Sequence, residues 1–88
     1  TVNGDSMVDA HIADGDVVLM EPVVDPQRLR DGTVVSALVA GSGTTLKHFH
    51  RQGPTVVLEA ANPAYSPIEL PAEQVQVQGK LVAVWRQV

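Results

Sequence analysis

Eighty-eight residues with no cysteine and a net charge of −4 leave room for one small domain. They exclude a disulfide framework, a thiolate zinc site and the basic stripe by which a domain releases counterions from nucleic acid. The longest apolar runs, such as Leu81–Trp85, are far too short to cross a bilayer. Without cysteines or a basic stretch leading into an apolar one, the expected location is cytoplasmic, with no membrane partner. The first residue is Thr, so a fragment or a processed product is expected.

Taken in chain order, the first feature is GDSM at Gly4–Met7, where a short helical turn is expected after Ser6. Asp14-Gly15 turns the chain into a strand over Val17–Met20. Asp25 is placed to cap a second helical turn, with Pro26 at its first position. Thr33–Ala40, Thr44–Arg51 and Thr55–Glu59 are β-branched runs bounded by Asp31-Gly32, Gly41-Ser-Gly43 and Gln52-Gly-Pro54. Asn62-Pro63 and Ser66-Pro67 read as ordered loops covering one sheet edge. Val75-Gln-Val77-Gln alternates as a strand with one wet face does, and Gln78-Gly79 punctuates it as a turn. Leu81-Val-Ala-Val-Trp85 is apolar on both faces, as in a central strand or one covered by a partner. The period is 2 almost everywhere, which predicts one all-β domain of bent antiparallel strands over residues 1–88, with one or two helical turns.

Ser6 is either a nucleophile or the cap of a helical turn, and a nucleophile needs a base. His11 lies five residues on, too close to fold back onto Oγ from within a helical turn. Lys47 lies in TTLKHFH, where strand alternation sends Thr45, Lys47 and Phe49 to one face and Leu46, His48 and His50 to the other. Phe49 thus puts an aromatic ring beside Lys47. Desolvation disfavours an ammonium and lowers its pKa, which is what a catalytic lysine requires. Moving a lysine from about 10.4 to about 8 costs on the order of 3 kcal/mol, so the competing reading is a lysine that snorkels to water.

Four segments in order, VNGDSMVDAHIADGDVVLM, GTTLKHFHRQG, NPAYSPIEL and VQVQGKLVAVWR, together resemble the C-terminal domain of LexA-type repressors. That serine peptidase family includes phage repressors and the UmuD mutagenesis proteins. The resemblance implies a Ser–Lys dyad, with Ser6 as nucleophile and Lys47 as general base. It also implies an oxyanion site made by the backbone N–H groups of Asp5 and Ser6, with no metal or cofactor. A compact, mostly β fold and a homodimer built partly on the last strand, Leu81, Val82, Ala83, Val84 and Trp85, are implied as well. In such repressors an N-terminal helix-turn-helix domain binds operator DNA. A RecA filament on single-stranded DNA triggers the C-terminal domain to cut its own chain at an upstream Ala–Gly bond, as part of the SOS response to DNA damage.

This sequence departs from that pattern in lacking the DNA-binding domain and the upstream cleavage segment. Its one Ala–Gly, Ala40-Gly41, reads as a hairpin turn. Asp25–Arg30 reads as a somewhat lengthened surface loop. Two other readings stay open: a dimerisation module that no longer cleaves, and a UmuD-like DNA polymerase accessory protein. His48 and His50 share a strand face without an evident third ligand, and Asp14-Gly15-Asp16 reads as a turn rather than a calcium loop. Met7 is expected to pack beneath the nucleophile turn, and Asp9 either orients Lys47 or caps a turn.

Overall fold

The computed structural model describes residues 1–86. Six antiparallel strands form one sheet: β1 (Val17–Pro22), β2 (Thr33–Val39), β3 (Gly43–Gln52), β4 (Thr55–Glu59), β5 (Ile68–Pro71) and β6 (Val75–Trp85). Their order across the sheet is β1-β6-β2-β3-β4-β5. Among the described residues, helical structure is limited to 3-10 turns at Val8–Ala10, Pro26–Arg28 and Ala72–Gln74. The two turns expected from sequence are the first two, and Asp25 caps the second by accepting the Gln27 N–H at 3.0 Å.

Local chemistry sets the hairpins. Gln52 pairs with Thr55 around Gly53-Pro54, and Gly53 takes φ 60, the glycine-first arrangement that a two-residue hairpin favours. One sheet face is covered as the strands curl. Val35, Ala37, Val39, Phe49, Val56, Leu58 and Val77 form the core, flanked by Val23, Leu29 and Leu70. Along β3 the burial follows the expected alternation, with Lys47 and Phe49 buried between half-buried Leu46, His48 and His50.

One sequence expectation needs correction. Gln78-Gly79 is not a turn; it lies inside the eleven-residue β6. The pairing of β2 with β6 shifts at Ser36/Ala37, opposite Gln78. Gly79 serves a close approach of strands, because a Cβ there would lie 3.0 Å from Glu21 O and 3.2 Å from Met20 Cβ. Asn62-Pro63 and Ser66-Pro67 lie in a loop, as expected. Ile68–Pro71, which the sequence reading did not anticipate, is a strand pairing with β4, while Asn62 and Tyr65 reach back to Asp5.

β6 serves two neighbours in succession. Val75–Lys80 pairs with β2, and Gly79–Trp85 pairs with β1. Past Lys80 the edge that faced β2 has no strand beside it among the described residues. The projecting β1–β6 ribbon exposes Val17, Leu19, Val82, Val84 and Trp85, the last at 73%.

Candidate active site

The turn that carries Ser6 is built by capture of its backbone. Gly4 adopts φ +90 and donates its N–H to Asp14 Oδ1 at 2.7 Å. Met7 O accepts the N–H groups of Ala10 and Ile12, closing the 3-10 turn, with His11 left-handed at its end. Met7 and Ile12 are fully buried beneath it. Asp14-Gly15-Asp16 spends its carboxylates on protein groups. Asp16 accepts the Ala13 N–H and a two-pronged Arg86 guanidinium, both at 2.8 Å. That guanidinium holds the Asp16 carboxyl at about 2, well below the usual carboxylate range.

The sheet brings Lys47 to this turn across 41 residues of chain. Lys47 Nζ lies 3.1 Å from Ser6 Oγ, 2.6 Å from Thr45 Oγ1 and 3.2 Å from Leu46 O. The side chain is only 9% exposed, and burial pushes its pKa below the ordinary lysine value. The three partners suit both protonation states. An ammonium gives each one hydrogen. A neutral amine has two hydrogens, which the Leu46 carbonyl and the Thr45 hydroxyl accept, leaving its lone pair for the Ser6 O–H. The arrangement can move a proton from Oγ to Nζ without unpairing either group.

A cleft of about 340 Å³ is lined by Ser6 and Lys47 together with Val2, Val18, Met20, Ser36, Thr44 and Leu46. The Asp9 carboxylate makes no bond to Lys47; it is the Asp9 backbone N–H that is used, donating to Ala61 O at 2.7 Å. His48 points Nδ1 at Gly32 O, 2.9 Å away, and no group of three or more His, Asp or Glu converges among the described residues. Ala40-Gly41 sits in the β2–β3 hairpin, where the Ala40 N–H donates to Gln74 O and Gly41 takes φ 80. Sequence reading did not single out Thr45, Asn62, Tyr65 or Arg86. Only Thr45 left a signal there, as the residue two before Lys47 on the same strand face.

A model of peptidase S24-like domains matches residues 1–82. The chain belongs to the peptidase S24-like family. It is thus a member of a family of serine peptidases, and the relatives it resembles are LexA repressors. It is 49% identical to the LexA repressor of Koribacter versatilis over 85 residues, 97% of this chain and 39% of that protein. Against the LexA repressor of Zymomonas mobilis identity is 44%, covering 97% of the chain and 38% of the relative. The Ruegeria sp. LexA repressor is 47% identical, with coverage of 97% and 34%. The S24-like chain therefore spans less than two-fifths of these relatives' length and corresponds to their C-terminal domain.

Proposed function

We propose that this domain is the self-cleaving and dimerising part of a LexA-type repressor, with Ser6 as nucleophile and Lys47 as general base. The observation that carries the reading is a nearly buried lysine, its pKa lowered, with its amine 3.1 Å from a serine hydroxyl that lines a cleft.

In the proposed reaction, neutral Lys47 takes the Ser6 proton as Oγ attacks a peptide carbonyl carbon. The resulting oxyanion is held by the backbone N–H groups of Asp5 and Ser6. As the C–N bond breaks, Lys47 returns the proton to the departing amine, leaving an ester on Ser6. Water, deprotonated by Lys47, then hydrolyses that ester and restores the hydroxyl. The substrate is an Ala–Gly bond of the parent chain, and the trigger is a RecA filament on single-stranded DNA. Operator binding is assigned to an N-terminal domain outside these residues, and the whole acts in the cytoplasm. The exposed apolar ribbon and open β6 edge support pairing with a second copy through Leu81–Trp85.

The test supplies a synthetic peptide bearing the parent protein's Ala–Gly bond to the chain at alkaline pH. Cleavage is expected, and Ser6→Ala or Lys47→Ala should lower its rate by roughly 10³-fold or more. Cutting that survives Lys47→Ala would remove the amine from the mechanism. If full-length protein does not disappear after DNA damage although the dimer forms, the domain is a dimerisation module alone.

A further inference from the structure

The loop after β4 grips the residue immediately before the nucleophile. Asn62 Nδ2 donates to the Asp5 carbonyl at 2.9 Å. The Tyr65 hydroxyl donates to Asp5 Oδ1. The Ala61 carbonyl takes the Asp9 N–H at 2.7 Å, so Ser6 lies between two residues tied to one loop. That loop is pinned in turn: Asn62 Oδ1 accepts the Ala64 N–H at 2.9 Å, and Asn62 O accepts the Tyr65 N–H at 3.1 Å. Asn62 thus uses its oxygens to shape its own turn and has its amide hydrogens left to spend on Asp5.

The Asp5 carbonyl belongs to the same planar unit as the Ser6 N–H. In a trans peptide those two groups point in opposite directions, so fixing one fixes the other. Among the described residues the Ser6 N–H makes no hydrogen bond to another protein group. We infer that Asn62 and Tyr65 are positioning residues, which hold the Asp5–Ser6 peptide so that the Ser6 N–H is aimed at the developing oxyanion. This rests on Ser6 being the nucleophile. The Asp5 carboxylate raises the Tyr65 phenol above its ordinary value, so the hydroxyl stays a donor at the alkaline pH at which a lysine base works.

Asn62→Asp is the sharp test, because it keeps the oxygen that shapes the turn and removes the donor. With the Ala–Gly peptide as substrate, kcat should fall about tenfold or more while KM stays within about twofold. Inhibition by a peptide boronate, whose oxygen occupies the oxyanion position, should weaken by the same factor. The thermal midpoint should stay within a few degrees. Should Asn62→Asp not fold, Tyr65→Phe removes one hydroxyl from an exposed side chain, with an expected loss of roughly two- to fivefold in kcat at unchanged KM. An unchanged kcat in the variant that folds, alongside an inactive Ser6→Ala, overturns the positioning role and leaves the nucleophile in place. A loss explained by a risen KM or a collapsed thermal midpoint overturns it too. Cleavage that persists in Ser6→Ala overturns the nucleophile and the positioning role together.

Discussion

Lys47 works against the fold that houses it. Burial strips its amine of water, so the folded chain binds that proton less tightly than the unfolded chain does. Below the lowered folded pKa the penalty is fully present. It fades as pH rises and is gone above the ordinary lysine value of about 10.4. Lys47→Met should therefore raise the thermal midpoint at pH 7, with a gain that shrinks as scans approach pH 10. Cleavage by the unaltered chain should have the opposite profile, climbing with pH until Lys47 is neutral and then levelling. A rate flat from pH 6 to pH 10 would contradict proton uptake by this amine. At this scale the alternation of β3 was readable from TTLKHFH, and so was the contrast between Lys47 and its histidine neighbours. The 2.6 Å bond from Lys47 to Thr45 was not, because it depends on rotamers that packing selects.

Among the elements, β6 and the Asp14–Asp16 turn each hold a contact that a single substitution tests. Gly79→Ala places a methyl 3.0 Å from a backbone oxygen, Glu21 O, which cannot swing aside as a side chain would. It should destabilise the fold by about 1–3 kcal/mol, measured as a lower urea midpoint. The Asp16–Arg86 pair ties the end of β6 to the residues that follow the nucleophile turn, since Arg86 also donates to His11 O at 3.2 Å. Asp16 titrates at about 2 when folded and near 3.8 when unfolded, so its contribution is present above about pH 4 and is lost as pH falls toward 2. Asp16→Asn should lower the thermal midpoint at pH 6, and the gap to the unaltered chain should narrow by pH 2.5. An equal gap at both values would show that the carboxylate's charge is not what matters. The strands with β-branched runs were legible because turn residues bracket them. β5 was not, because its four residues follow Pro67 and end in Pro71, and they are extended through pairing with β4. The continuity of β6 was hidden because Gln-Gly looks locally like a turn, and only the neighbouring strand reveals why the glycine is there.

As a whole molecule, the sheet separates its two apolar surfaces. One is the core around Phe49 and Leu58; the other is the exposed ribbon of β1 and β6. A small domain gains nothing by leaving that ribbon in water, so a second copy is the occupant we propose. Val82→Lys should shift the chain to monomer in analytical ultracentrifugation while leaving its thermal midpoint in the dilute monomer little changed, since Val82 is 56% exposed. A persistent dimer would place the interface elsewhere.

Side-chain type and local period were enough for the fold class, the two helical turns and the apolar last strand; for Ser6 and Lys47 they left a cap and a snorkelling lysine open, and it was the resemblance to LexA-type repressors that implied a dyad. Only packing of the whole chain brings a hydroxyl and an amine 41 residues apart to 3.1 Å, and sets Asn62 on the carbonyl and Tyr65 on the carboxylate of Asp5. Those distances come from strand register, a bulge and a loop folding back across the sheet. Such long-range pairings are settled only when the whole chain packs.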